Sequence, residues 1–326
     1  MPTVDMIKAI AILGGTGFVG RHLASRLTKE RYPLKVLTRR RERHRDLLVI
    51  PTLDLVEADV HDPAVLEREL RGCGTVVNLI GILNERGDDG SGFRDAHVEL
   101  AHKLIAACRT NDIPRLLHMS ALNADAQSGP SHYQRTKGEA EDLVHAAAGE
   151  DFRVTSFRPS VIFGPDDDFF NRFAGLLRFT PLVFPLACPR ARFAPVYVGD
   201  VVEAMALCLT DPATYERRYD LCGPKSYTLA ELVAYTAQCL KLRRYVLPLN
   251  ARLSLLQAQV LERVPGKPLS LDNHRSLHID SVCGGENGLL SLGIAPTAVE
   301  SVVPGYLAER GQRGLYRKLR GLARRH

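Results

Sequence analysis

The sequence predicts an α/β protein, a doubly wound parallel sheet with a small C-terminal α/β lobe, and three observations carry that prediction. Ile7 to Gly20 (IKAIAILGGTGFVG) is an apolar run with no charge after Lys8 that breaks into glycines and then into a helical pattern. Such a run reads as a parallel strand buried on both faces. Short apolar runs then alternate with helix-period segments as far as Phe157, the spacing of right-handed crossovers between parallel strands. Beyond Arg158-Pro159 the pattern loosens and proline becomes frequent, which marks a second, less regular unit.

The elements follow in order. After the first strand and the helical RHLASRLTKE, Tyr32-Pro33 leads into a second strand, Leu34 to Leu37. Leu53 to Val60 is a third, and Asp62-Pro63 opens a helix with an acceptor at the cap and proline just inside. Thr75 to Ile80 reads as a strand, Phe93 to Asn111 as a long helix and Leu116 to Ser120 as a strand. Ser131 to Ala148 is helical and Phe152 to Phe157 a strand. Asp166 to Thr180 reads as a helix whose acidic start suits the positive helix end, and Pro181 to Pro195 mostly as loop. A helical run from Asp200 to Leu209 is expected to return to the main sheet. A short strand near Tyr219 and helices from Thr228, Ala251 and Leu269 are expected to form the lobe. The expected domains are residues 1–164, rejoined by about 195–212, a lobe from 165–194 and 213–308, and a basic amphipathic tail, 309–326.

Glycine has a mechanical role in the first turn. A side chain there would hold the backbone away from a pyrophosphate, whereas bare amides at the positive end of a helix attract it. Strand, glycine turn and helix together therefore predict a dinucleotide site built from Gly14, Thr16, Gly17, Phe18, Val19 and Gly20. An NAD site would close the second strand with Asp or Glu, accepting from the ribose hydroxyls. This strand ends Thr38-Arg39-Arg40-Arg41 instead. Guanidinium groups pair with a 2′-phosphate that a carboxylate would repel. NADP(H) is thus expected over NAD(H), with Arg39 and Arg40 as the contacts. A solvated charge run would explain the arginines onward to Arg45 but not the missing carboxylate.

Tyr133 is followed four residues later by Lys137, a spacing no other tyrosine of the chain shares with a lysine. On a helix the two lie on one face. An ammonium nearby favours phenolate, so Lys137 is expected to lower the Tyr133 pKa for proton transfer and to hold the ribose of a cofactor. Ser120 ends the strand thirteen residues upstream, at the edge where parallel sheets place their sites, and its hydroxyl is expected to bond a substrate carbonyl or alcohol.

These motifs together resemble a short-chain dehydrogenase/reductase of the extended or atypical type. GGTGFVG, Asp59-Val60, NLIG at Asn78 to Gly81, HMSA at His118 to Ala121 and YQRTK at Tyr133 to Lys137 fall in order. FRPSVIFGP (Phe157 to Pro165) and PVYVGDVVEA (Pro195 to Ala204) extend the likeness past the nucleotide domain. NLIG with FFNRFA (Phe169 to Ala174) most resembles the NDUFA-nine-like group, which includes an accessory subunit of respiratory complex I and free-standing bacterial relatives. The resemblance implies a Rossmann domain in which Gly14, Gly17 and Gly20 meet the pyrophosphate, Arg39 and Arg40 the 2′-phosphate, and Asp59 with Val60 the adenine. It also implies that Asn78, Leu79, Ile80 and Gly81 line the nicotinamide side, with Lys137 and Pro159 in the cofactor set. Thr136 stands where active relatives often carry serine, and Asn111 lies too far along its helix for the structural asparagine role of catalytic members. The catalytic set is therefore Ser120, Tyr133 and Lys137.

Composition narrows the partners. Lys and Arg total 43 against 37 Asp and Glu, but 310–326 alone holds six Arg, one Lys and no acid. The rest is near neutral, so the pI near 9.0 does not describe a surface that wraps nucleic acid. Read as a helix, the tail puts Leu315, Leu319 and Leu322 opposite Arg313, Arg317, Arg320 and Arg324, a pattern suited to an anionic membrane surface or membrane complex. No apolar stretch reaches membrane-spanning length, and the N-terminus running straight into a strand leaves no room for a signal peptide. A cytoplasmic protein, peripheral to the inner membrane if the tail binds there, is expected. Seven scattered cysteines without a CxxC pair predict a reducing compartment, no disulfide framework and no zinc site. His274 and His278 have metal-ligand spacing near Asp280 but no third ligand, so no metal is expected. The acidic, glycine-rich loop Asn84 to Gly92 reads as a lid over the nicotinamide or as plain surface.

Two functional classes stay open. One is an NADP(H)-dependent oxidoreductase or epimerase acting on a small molecule, with Tyr133 as proton relay. The other is a subunit or assembly factor that holds NADPH as a structural ligand, and a role in quinone metabolism at the membrane would join the two. The substrate and the oligomeric state are not encoded in any motif.

Overall fold

Strand alternation sets the architecture. The structure, a computed structural model, describes residues 8–309, so the tail 310–326 and its membrane-binding expectation lie outside the described residues. Strand β1 (Ala9–Leu13) sends Ile10 and Ile12 to one face of the sheet and Ala11 and Leu13 to the other. Both faces are covered, as a parallel sheet requires. Helix α1 (Phe18–Thr28) follows the glycine turn, then β2 (Leu34–Thr38), a 3-10 segment over Arg41–Val49, β3 (Leu53–Glu57) and α2 (Pro63–Leu70). Asp62 caps α2, accepting from the amides of Ala64 and Val65. Next come β4 (Cys73–Asn78), α3 (Ser91–Arg94), α4 (Leu100–Thr110), β5 (Arg115–Met119), α5 (His132–Ala146) and β6 (Arg153–Pro159). The long helix expected from Phe93 is interrupted by a π-helical segment, Asp95–Glu99, between α3 and α4.

Beyond β6 the chain makes β7 (Ile162–Phe163), α6 (Phe170–Phe179), β8 (Val183–Leu186), β9 (Arg192–Phe193), β10 (Val196–Tyr197) and α7 (Val198–Leu207). It then forms β11 (Arg218–Leu221), β12 (Tyr227–Thr228), α8 (Leu229–Cys239), β13 (Tyr245–Pro248) and α9 (Ala251–Leu261). Helices α10 (Leu271–Ser276), α11 (Gly288–Ser291) and α12 (Val299–Glu309) complete it. The main sheet has seven strands in the order β11-β6-β5-β4-β1-β2-β3, every neighbour parallel. Its order reverses between β1 and β4, which opens a crevice at their carboxyl ends. Leu23 and Leu27 of α1 and Val201 and Met205 of α7 cover one face. Leu66 of α2, Leu104 of α4 and Val144 of α5 cover the other.

One expectation is corrected. The strand near Tyr219 belongs to the main sheet as β11, beside β6, and not to the lobe; α11 packs against it through Leu289, which joins the sheet-side core. Short strands exposed on one edge carry too little pattern to reveal their partner. The stretch from Pro181 to Pro195, read mostly as loop, also holds two short strands, β8 and β9, paired with β13 and β12 respectively. The lobe itself is held by two apolar clusters, one around Phe163, Phe170 and Leu232 and one around Leu177, Phe184 and Val233. Asp200 on α7 ties the two units, accepting from the amide and hydroxyl of Thr297 at 2.7 and 2.9 Å. Asp167, in the acidic triplet read as a helix start, accepts from the amides of Phe169 and Asn171 and from the Tyr306 hydroxyl.

The cysteine expectation is corrected as well. Cys222, just past β11, is joined to Cys283 by a disulfide, because the fold brings two residues far apart in sequence to one edge of the sheet. Asn287 supports the same junction, its amide exchanging hydrogen bonds with the Cys222 backbone. The bond closes a loop spanning 61 positions, and such a loop restricts the unfolded chain by up to about 4 kcal/mol. Reduction should lower the unfolding free energy by no more than that amount. Urea denaturation with and without dithiothreitol checks it, and Cys222→Ser/Cys283→Ser should abolish the difference.

Candidate active site

The carboxyl edge of the sheet gathers the residues that the sequence singles out. Gly14 adopts φ +77°, where an L side chain would be strained. A Cβ on it would also lie 3.0 Å from the Leu79 carbonyl carbon. The turn after β1 is thereby pressed against the end of β4, across the switch point. A Cβ on Gly20 would lie 2.5 Å from the Gly14 oxygen and the Gly15 Cα, so only glycine lets the first turn of α1 sit on the loop. The Gly17 amide donates to the Gly14 carbonyl at 2.9 Å, and Arg21 Nε donates to the Thr16 carbonyl. Phe18 and Val19 are half-buried and open the helix.

Arg39 and Arg40 are exposed immediately past β2, and neither side chain has an ion-pair or hydrogen-bond partner among the described residues. Arg41 is different, since its Nε donates to the Leu55 carbonyl. Asp59 is exposed past β3, its carboxylate accepting from the His61 amide, while Val60 is buried in the sheet-side core. Past β4, Asn78 is turned inward: its carbonyl accepts from the Ile80 amide and its NH2 meets His118 Nδ1 at 3.3 Å. Leu79 and Ile80 are half-buried and Gly81 exposed, and Pro159 is buried at the end of β6. A bare glycine turn under a helix start fits the pyrophosphate of a dinucleotide, and two uncommitted guanidiniums stand one strand away.

Helix α5 brings Tyr133 and Lys137 to this edge. Ser131 caps it by accepting from the Gln134 amide. Lys137 is buried, and its Nζ donates to the carbonyls of Met119 at 2.8 Å and Ile80 at 3.2 Å. Burial lowers its pKa to about 8, with the Glu141 carboxylate acting against the fall. The Tyr133 ring packs edge-on against Phe93 and His97, and withdrawal from water pushes the phenol up to about 12. The expected lowering of the phenol by Lys137 is therefore corrected. The ammonium is spent on backbone carbonyls, and desolvation outweighs it at the phenol.

Ser120 meets the sequence expectation differently. Its hydroxyl is buried and donates to Glu141 Oε2 at 2.8 Å rather than standing open to a substrate. Glu141 is fully buried, and its two oxygens accept from Arg158 Nε at 2.9 Å, with Arg218 at 3.5 Å. A buried carboxylate needs such partners. Ser120 thus belongs to the ion-pair network under α5.

The sequence left several site residues unread. His97, in the π-helical segment, accepts from the Ile82 amide through Nε2 and so carries its proton on Nδ1, which donates to the Thr136 hydroxyl at 2.9 Å. Thr136 in turn donates to the His132 carbonyl. Burial, then Lys137, lowers the His97 pKa to about 2, so the ring stays neutral. Asp272 of α10 accepts from the amides of His132 and Tyr133 at 2.7 and 3.1 Å, so the lobe grips the first turn of the helix that bears Tyr133. The loop after β4 is fastened too. Glu85 accepts from the Gly90 and Gly92 amides, and Lys267 Nζ donates to the carbonyls of Arg86 and Gly87. His274 and His278 pack against each other, His278 Nδ1 donating to the His274 carbonyl, and no group of three metal-ligating side chains occurs among the described residues. The π-segment had no sequence signal; Asp272, in Ser-Leu-Asp-Asn, looked only like a helix start.

The depressed Lys137 pKa has a signed consequence. Below about pH 8 the ammonium is charged in both states and its burial cost is fully present. Between about 8 and the ordinary 10.5 the unfolded chain binds the extra proton, so stability rises with pH through that window. Wild type should therefore gain on Lys137→Met by about 3 kcal/mol from pH 8 to 10.5, at about 1.4 kcal/mol per unit. Paired denaturation curves across that range check it.

The sequence profile of the NAD dependent epimerase/dehydratase family matches residues 10–222. The mitochondrial NADH-ubiquinone oxidoreductase 40 kDa subunit of Neurospora crassa is 28% identical over 304 residues, 91% of this chain and 78% of that one. Ceramide reductase of Caulobacter vibrioides is 31% identical over 210 residues, 63% of this chain and 62% of that one. Among solved structures, MoeE5 in complex with UDP-glucose and NAD superposes with a TM-score of 0.73 at 19% identity, over 94% of this chain and 99% of that one, a likeness of fold. With the profile spanning the sheet domain through β11, and with relatives among complex I subunits, the chain belongs to the NAD dependent epimerase/dehydratase family, as an extended short-chain dehydrogenase/reductase of the complex I-subunit-like group.

Proposed function

We propose that the chain is an NADP(H)-binding oxidoreductase or epimerase-type protein in which Tyr133 relays a proton. The observation that carries this reading is convergence: the glycine turn, the two free guanidiniums and the Tyr133–Lys137 helix meet at the reversal point between β1 and β4. Gly14, Thr16, Gly17, Phe18, Val19 and Gly20 would hold the pyrophosphate, Arg39 and Arg40 the 2′-phosphate, and Asp59 and Val60 the adenine side. When bound, the dinucleotide supplies hydride exchange at its nicotinamide. A neutral phenol near neutral pH is the form that protonates a developing alkoxide, and Phe93 and His97 pack edge-on against its ring. Lys137, fixed between two strand ends, positions its ammonium at the same edge.

A second reading is favoured by two observations. The hydroxyl of Ser120 is committed to Glu141, and the relative covering 91% of the chain is a complex I subunit. On that reading NADPH is a structural ligand that stabilises the fold by mass action. The membrane-complex contact through 310–326 and a quinone-like substrate belong to it.

Replacing Arg39 and Arg40 with Ala should weaken NADPH by about 3–6 kcal/mol at most before screening, two charge-assisted contacts, and leave NADH nearly unchanged. Calorimetry checks this, and equal wild-type affinity for the two nucleotides would overturn the NADP(H) assignment.

Tyr133→Phe should abolish turnover of any substrate found on a carbonyl and quinone panel while nucleotide affinity stays intact. Wild-type protein that keeps NADPH through purification, exchanges it slowly and oxidises it with no member of the panel would establish the second reading instead.

A further inference from the structure

Helix α9 inverts the usual burial of an aqueous helix. Its inward face consists of Ser254 and Ala258, 2% and 0% exposed. Its outward face carries Leu253, Leu256 and Val260, 47%, 54% and 54% exposed and spaced as one stripe. A helix in water buries such a stripe. Adjoining elements of the lobe also expose apolar side chains: Gln257 of α9 donates to the Pro185 carbonyl of β8, and Val183 on β8 pairs with Tyr245 on β13, both exposed. Phe179, at the end of α6, is 91% exposed, and Leu182 is linked to β13 through its carbonyl, which accepts from the Tyr245 amide. Large apolar side chains exposed in this number on adjoining elements mark a docking site.

Charge identifies what docks. Residues 169–199 and 232–261, which supply all of this surface, contain no Asp or Glu. Arg178, Lys241, Arg243 and Arg252 are exposed among the apolar side chains. An apolar helix face in a basic setting, with no acid before the Glu262 that ends α9, suits the headgroup region of an anionic bilayer, where leucines enter the acyl boundary and arginines meet phosphates. A protein partner would need acids to match, whereas a second copy would bring arginine against arginine.

We infer that the lobe surface built by α9, β13, β8 and the end of α6 is an anionic-membrane docking face, with α9 lying in the interface. It is a surface distinct from the basic tail and stands apart from the dinucleotide reading. A chain that binds NADPH but not vesicles refutes this inference alone, and one that binds vesicles but not NADPH refutes only the other.

The test uses the full chain with phosphatidylcholine vesicles, with and without phosphatidylglycerol. Wild type should co-sediment with the anionic vesicles and remain largely in solution with the neutral ones. Leu253→Glu/Leu256→Glu/Val260→Glu, substitutions at exposed positions, should lower the bound fraction at least about tenfold while circular dichroism is unchanged. The chain has no tryptophan, so Leu256→Trp supplies a single reporter whose emission should shift to the blue on anionic vesicles. Sedimentation of the triple variant equal to wild type, or an unshifted reporter on protein that does sediment, would assign binding to the tail and overturn the inference. Wild type that stays in solution with both vesicles would overturn it too. So would a dimer in sedimentation velocity that the triple variant splits, which would make the occupant a second copy.

Discussion

The buried ammonium of Lys137 is the constraint on which the site's geometry depends. It lies between the carbonyls that end β4 and β5, one held at Ile80 and one at Met119. A charge withdrawn from water must be fully satisfied, so the two strand ends and α5 are fixed relative to one another. A Cβ on Gly81 would sit 3.1 Å from Nζ, which shows how closely the loop after β4 closes over it. Everything that α5 carries, Tyr133 above all, takes its position from that anchor.

A second grip comes from the lobe. Asp272 accepts the free amides at the start of α5, and Ser276 donates to the Ser131 hydroxyl beside it. Asn273 donates to the Leu83 carbonyl. The same short helix thus holds both the helix that carries Tyr133 and the loop after β4. The deeper part of α5 rests on charge pairing, with Glu141 bound by Ser120 and Arg158, and His145 meeting the Ser156 hydroxyl at 3.0 Å.

The chain places its apolar residues in two ways. In the sheet domain leucine, valine and isoleucine face inward from strands and helices alike, and two clusters cover the two faces. In the lobe, leucines of α9 face out while serine and alanine face in. Composition cannot separate these cases, because the hydrophobic fraction is the same whichever way a residue points.

The sequence by itself determined the sheet domain and the kind of site it bears. An apolar run into Gly14-Gly15-Thr16-Gly17 can make only a buried strand and a bare turn, and a tyrosine and lysine four apart on a helix share a face. These are local rules, written in neighbouring residues. Only the tertiary structure decided the rest. The strand at Arg218–Leu221 is too short to announce its neighbour, and its place in the main sheet follows from pairing with β6. Cys222 and Cys283 meet because distant segments converge at that edge. The Tyr133 phenol is raised, and the Ser120 hydroxyl is engaged by Glu141, because burial and partners come from elements far away in sequence. Local spacing fixes which residues can face one another, whereas desolvation and partner choice depend on what packs above them.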